Sequence, residues 1–295
     1  MSATETSKPN VGHGVLITGC SSGIGKALAH AFHAQGYRVC ATARRVETLA
    51  PLAALGMLTR PLDVTDAASR QALLSQLREE RWQIDTLVNN AGYGAMGPLM
   101  DLPVSEWQRQ FDVNVFAPIA LIQAVLPEMV ARGHGHIVNI SSVSGVMPTP
   151  FAGAYCASKA AVNALSDALR MELAPLGIRV TTVQPGGIES GFGDAAGQGV
   201  SVPPQSPYHR IRDAVMARAH GSQQNATPAA EFASQLVAQL GRANCPAVVR
   251  IGEKSRLMPA LKRWLSDRQL DRILSRQFQL DQLEAARPSK PIKKA

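Results

Sequence analysis

The chain has 295 residues and a mass of 31.4 kDa, with 45% hydrophobic and 18% charged residues, which suits one large domain with an appendage and excludes disordered and collagen-like architectures. Its net charge of +8 is concentrated late: positions 250 to 295 hold twelve Lys or Arg against five Asp or Glu, so the body is close to neutral. Cys20, Cys40, Cys156 and Cys245 lie far apart with no CxxC pair, which predicts small buried thiols in a reducing cytoplasm rather than disulfides or zinc ligands.

In chain order, residues 1–13 read as a polar tail with no basic n-region and no apolar h-region, predicting no cleaved export signal. Short apolar runs at 15–18, 38–43, 57–62, 86–89, 136–140, 179–184 and 247–251 alternate with stretches of helical period. That alternation predicts an α/β fold: a doubly wound parallel sheet with helices on both faces, over residues 14–252. Ile24, Leu28, Ala31 and Phe32 mark the first helix, closed by Gly36. The apolar stretch 113–125 is interrupted by Asn114, Pro118 and Gln123 and reads as too short and broken to span a bilayer. Val162, Leu165, Leu169 and Leu173 mark a later helix ending near Pro175 and Gly177. Residues 187–228 turn to Gly, Pro, Ser and Gln, with Phe192, Val200, Tyr208 and Met216 among them, and read as a mobile substrate loop holding one short helix. Residues 253–295 form a basic extension with two apolar stripes, Leu257, Leu261, Trp264, Leu265 and Leu270, Ile273, Leu274, Phe278, separated by a capping box at Ser266 to Gln269. Three readings of this extension stand together: packing on the core, a lid over an apolar pocket, and a peripheral membrane contact.

The first strand ends at Thr18 and is followed by Gly19, Ser21, Ser22, Gly23, Ile24 and Gly25 in a GxxxGxG turn. Such a turn lets backbone approach a diphosphate while the next helix aims its amides and dipole at the anion. The second strand ends in Arg44 and Arg45, where an NAD-selective site carries an acid; two guanidiniums suit a 2′-phosphate, so NADP(H) is the expected cofactor. Arg45 has the alternative of pointing into water. Asp63 and Val64 end the third strand, either facing the adenine ring or, for Asp63, capping the following helix.

Tyr155 and Lys159 are four apart and share a helix face, so an ammonium would favour the ionised phenol; Ser142 ends the fifth apolar run and can bring a hydroxyl to them. These residues suit a reduction in which Tyr155 supplies the proton and Ser142 steadies the substrate oxygen.

Taken together, Thr18 to Gly25, Asn89-Asn90-Ala91-Gly92, Asn114, Ser142, Tyr155 with Lys159, and Pro185-Gly186 resemble the short-chain dehydrogenase/reductase family from about Gly14 to Ile251. The resemblance implies a Rossmann-type sheet of seven parallel strands and a catalytic tetrad of Asn114, Ser142, Tyr155 and Lys159. It also implies that Asn90 and Gly92 line the cofactor channel, that Ile188 and Ser190 approach the nicotinamide carboxamide, that Lys159 holds the nicotinamide ribose, and that Asn114 positions a water. Family members usually carry Thr where this chain has Ser190; the hydroxyl is kept. Within the family the chain looks like the 17β-hydroxysteroid dehydrogenase-like subgroup, akin to retinol dehydrogenases and acyl-dihydroxyacetone-phosphate reductases. That implies a bulky apolar ketone or secondary alcohol as substrate and no nucleic acid. By family analogy, pairing of helices near 104–130 and 157–173 gives a homodimer or homotetramer; the cytoplasmic location is the expectation from the cysteines and the polar N-terminus. The rival from another class is a regulatory protein that binds NADP(H) without turnover, and the intact tetrad argues against it.

Overall fold

The computed structural model describes residues 12–191, 199–223 and 225–283, so most of the N-terminal tail, Phe192 and the last twelve residues lie outside the description. Seven strands, β1 (Gly14–Ile17), β2 (Arg38–Ala43), β3 (Leu58–Pro61), β4 (Thr86–Asn89), β5 (Gly135–Ile140), β6 (Ile178–Val183) and β7 (Val248–Val249), pair in parallel in the order β3-β2-β1-β4-β5-β6-β7. The winding reverses between β1 and β4, which opens a crevice at the carboxyl ends of the central strands. β7 stops earlier than the apolar run 247–251 predicts. Gly252, at φ 99°, turns the chain so that Glu253 bridges Gly187 antiparallel.

Side chains alternate between two cores because the strand repeat is two residues. Val15 and Ile17 of β1 face one core with Val39, Val138 and Val183, while Leu16 faces the other with Leu87 and Ile137. α1 (Gly23–Ala34) and α8 (Ala229–Leu240) cover the first face, fully burying Phe32 and Phe232, each contributing about 1.5–3 kcal/mol through burial. Gly36 follows α1 at φ 81°, in the left-handed conformation that ends helices. After the short α2 (Ala50–Ala53), α3 (Ala67–Glu79) covers the second face, capped by Asp66 on the N–H groups of Ala68 and Ser69.

α4 (Val104–Phe111) and α5 (Ala117–Arg132) are joined by a wide π turn, Asp112–Phe116, into a helical run of 29 residues whose most apolar 18-residue stretch has a mean hydropathy of 1.7. The run is therefore longer than the broken stretch 113–125 suggests, because the π turn absorbs Asn114 and Pro118 falls in the first turn of α5. Leu121, Ile122, Val125 and Met129 bury it against the sheet as a core helix. α6 (Gly153–Leu173) follows β5.

The 187–228 segment contains α7 (Arg212–His220) flanked by short 3₁₀ turns. α9 (Leu257–Trp264) and α10 (Asp267–Gln277) follow, and the Ser266/Gln269 capping box is present. Packing is what α10 does: Leu274 and Phe278 join Phe151, Ile211 and Val215 in a separate apolar cluster over the loop. The stripe on α9 is not covered in this way, and Trp264 is 79% exposed.

Candidate active site

The carboxyl ends of β1 to β6 open onto one cleft of about 1320 Å³. At its β1 end, Gly19 and Gly23 have φ of 74° and 54°, conformations that L side chains rarely adopt. A Cβ on Gly25 would run into the Gly19 carbonyl oxygen, and one on Gly23 would lie 2.9 Å from Ser190 Cβ. Thr18 Oγ1 accepts from the N–H groups of Asn90 (3.0 Å) and Ala91 (2.9 Å), and Asn90 Nδ2 donates to the carbonyls of Thr18 (2.8 Å) and Gly19 (3.1 Å). Asn90 thus lines the cleft and also ties the β4 loop to the glycine turn, a double role that its motif does not reveal.

At the ends of β2 and β3, Arg44 lines the cleft and Arg45 does not; Arg45 is exposed, the alternative left open by the sequence. Asp63 also lines it, with Val64. Its Oδ1 accepts from Thr65 N–H (2.9 Å) and Oγ1 (2.7 Å), which together with the nearby Arg44 hold its carboxyl below the usual range. Asp63 does not cap the next helix: Asp66 does.

Ser142, Tyr155 and Lys159 meet in the middle of the cleft. Ser142 follows β5, its Oγ accepting from Ser144 N–H (3.1 Å) while it also hydrogen-bonds the Tyr155 phenol. Lys159 Nζ donates to the Ile140 carbonyl (2.8 Å) and lies 5.8 Å from the Tyr155 ring centroid. The expectation of an acidified phenol is not met in this state. Burial pushes Tyr155 up to about 12, against smaller lowering effects from Ser142 and Arg218, and burial draws Lys159 down to about 8. The physical reason is desolvation of both groups, which spacing along a helix does not report.

Asn114 sits behind this group, not on the cleft surface. Its Oδ1 accepts from Tyr93 N–H (3.2 Å), and its Nδ2 donates to Tyr93 O (3.0 Å) and Ser158 Oγ (3.1 Å). A Cβ on Gly92 would lie 3.0 Å from Asn114 Oδ1 and 3.7 Å from Lys159 Nζ, so a side chain at 92 would crowd the Asn114 amide. Pro185, Gly186, Ile188 and Ser190 close the cleft after β6, with Ser190 N–H donating to Gln223 Oε1 (3.0 Å). Among the cleft residues that escaped the sequence reading are Thr149 and Arg218. Arg218 lies on α7, whose weak amphipathic pattern gives no clue to which side faces the site.

A glycine turn at the first β-to-α crossing and a hydroxyl–phenol–ammonium group on the same crevice define a dinucleotide-binding α/β protein of Rossmann type. The chain belongs to the short chain dehydrogenase family, whose model matches residues 13–200. It is 36% identical over 278 residues to short-chain dehydrogenase cctT of Talaromyces islandicus, covering 91% of this chain and 96% of that one. It is 42% identical over 178 residues to the NADPH-dependent 1-acyldihydroxyacetone phosphate reductase of Schizosaccharomyces pombe, covering 60% of each. Among solved structures, the closed form of a serine dehydrogenase complexed with NADP+ superposes with a TM-score of 0.70 at 30% identity, covering 82% of this chain and 96% of that one.

Proposed function

We propose that the protein is an NADP(H)-dependent oxidoreductase that moves a hydride between nicotinamide and a bulky apolar ketone or its secondary alcohol, of steroid, retinoid or acyl-ketone type. The observation that carries this reading is the convergence of Ser142, Tyr155 and Lys159 on the cleft that the glycine turn and Arg44 also enter. The residues fit the cofactor: the turn has no room for side chains at Gly19 and Gly25, and Arg44 offers a guanidinium to a 2′-phosphate. When bound, NADPH supplies the hydride. The chain's own groups do the rest. Ile188 and Ser190 take the carboxamide end, Asp63 and Val64 the adenine end, and Lys159 the nicotinamide ribose.

Tyr155 holds its proton at neutral pH, as a donor to a carbonyl oxygen must, and Ser142 hydrogen-bonds that oxygen as charge develops. In the oxidative direction the same phenol must lose its proton, which calls for added positive charge from a bound oxidised nicotinamide beside Lys159. Asn114 holds the water through which the proton reaches solvent. Met96, Val143 and Met258 on the cleft wall support an apolar substrate, as does likeness to a reductase named for an acylated ketone. The Ala41 to Arg45 strand end supports the 17β-hydroxysteroid dehydrogenase-like subgroup.

The proposal extends to a cytoplasmic homodimer or homotetramer, supported by exposed Val104, Phe116 and Met171 on the helices expected to pair, and to a peripheral membrane contact through α9. NADPH consumption across steroid, retinoid, acyl-ketone and quinone panels tests the activity. Tyr155→Phe is expected to retain NADPH affinity and lose about 10²- to 10⁴-fold in turnover; near-normal turnover would refute the proton-donor role. Tight NADPH binding with no consumption on any panel would mark a regulatory protein instead.

A further inference from the structure

Arg218 lines the same cleft as Tyr155, and its positive charge is balanced by no carboxylate among the described residues. Its Nε and Nη2 both donate to one neutral hydroxyl, Thr149 Oγ1 (3.1 and 2.8 Å), and its Cζ lies 6.0 Å from the Phe278 ring centroid. Among the described residues no carboxylate pairs with it, and Nη1 has no hydrogen-bond partner. A guanidinium held on a cleft wall without a counter-ion is unfavourable unless a ligand brings one. Its position relative to the chemistry is fixed by Thr149, which also hydrogen-bonds the Cys156 thiol, next in the chain to Tyr155. The charge is felt at the phenol, which Arg218 draws downward.

The cofactor's anions are accounted for elsewhere. The glycine turn follows β1 and Arg44 follows β2, whereas Thr149 follows β5, two places from β1 in the sheet. Around Arg218 the surroundings are apolar: Met96, Ala152 and Ala219 form a buried cluster against which Tyr155 and Val200 pack. We infer that Arg218 receives an oxyanion, a phosphate monoester or a carboxylate, carried by the carbonyl substrate close to the carbon that is reduced, so that the substrate is an anionic amphiphile. This rests on the reductase reading and narrows its substrate class. The planar fork of an arginine suits either anion in a bidentate pair.

The test uses three ketones with one common long acyl chain, ending in a phosphate monoester, a carboxylate or a free hydroxyl. NADPH consumption by the full chain is measured for each, together with calorimetric binding of the matching alcohols. The wild type is expected to prefer an anionic member by about ten- to a hundredfold in kcat/KM, mainly through KM, and the member preferred identifies the anion. Arg218→Met should bring that ratio towards one, and Arg218→Lys, which keeps the charge but not the fork, should keep part of it. No anion preference in the wild type, or full preference in Arg218→Met, overturns the inference. So does a uniform fall in kcat for all three ketones with a shifted pH profile, which would place the arginine's effect on Tyr155, or a loss confined to NADPH affinity, which would assign it to the cofactor. If none of the ketones is reduced, the reductase reading fails and binding still decides: an anionic alcohol bound preferentially by the wild type alone supports Arg218 as the receptor, and equal binding by both overturns it.

Discussion

Lys159 is 6% exposed, its ammonium donates to the Ile140 carbonyl oxygen, and among the described residues no carboxylate pairs with it to offset its burial. Burial draws its pKa from 10.5 to about 8. Between those values the unfolded chain binds a proton that the native protein does not, so native stability rises with pH across that window, and below about pH 8 the destabilisation is fully present. The cofactor-free wild type should therefore gain on Lys159→Met by on the order of 3 kcal/mol between pH 7 and pH 10.5, read by denaturant titration at each pH. A pH-independent difference would show that the native ammonium is not desolvated. At the other end of the cleft, Arg44→Asp should raise KM for NADPH by about ten- to a hundredfold and shift preference towards NADH, measured with both cofactors on one substrate. The identities of Tyr155, Lys159, Ser142 and Arg44 were legible because their chemistry and spacing are local. The directions of the Tyr155 and Lys159 shifts were not, because burial is set by segments outside their own helix, Met96 and Ala219 around Tyr155 and Ile140 and Gly92 beside Lys159.

Single elements hold the site through their ends. β1 delivers its glycines at its carboxyl end, and Gly25 stands where a side chain would strike the Gly19 carbonyl. Gly25→Ala should therefore distort the turn and weaken NADPH binding by at least about tenfold in fluorescence titration while leaving a folded protein; unchanged affinity would show that the cofactor does not approach this backbone. Asp66, by contrast, caps α3 on the exposed side of the fold, and Asp66→Ala should cost about 1 kcal/mol in denaturant unfolding with turnover unaffected. Strand positions read cleanly from the sequence because each apolar run is short and bounded by polar segments. Three details did not. The π turn that swings Asn114 inward looks like an interruption of an apolar stretch, Asp66 rather than Asp63 is the cap, and β7 is cut short by Gly252. Each depends on where a backbone hydrogen bond finds its partner, which residue type alone leaves undecided.

At the scale of the whole molecule, charge and apolar exposure coincide at one place. The body is nearly neutral, while positions 250 to 295 hold most of the +8 charge. On α9, Trp264 is the most exposed large apolar side chain, with Leu257 nearby at 51% exposure and with Lys262 and Arg263 beside it in sequence. An indole that gains nothing from the core, flanked by cations, has the character of an interfacial anchor, since aromatic rings favour the headgroup layer and each nearby Lys or Arg adds roughly 1 kcal/mol of attraction to an anionic leaflet. Packing and membrane contact are compatible here, because α10 buries Leu270 and Phe278 while α9 turns its tryptophan outward. The full chain should therefore sediment with vesicles containing phosphatidylserine at low salt, release as salt is raised, and blue-shift its tryptophan emission on binding. Trp264→Ser should weaken sedimentation without changing turnover of a soluble substrate. If the full chain fails to sediment with anionic vesicles at low salt, the membrane contact falls, and the exposed face of α9 must be assigned to another surface, with the reductase reading untouched.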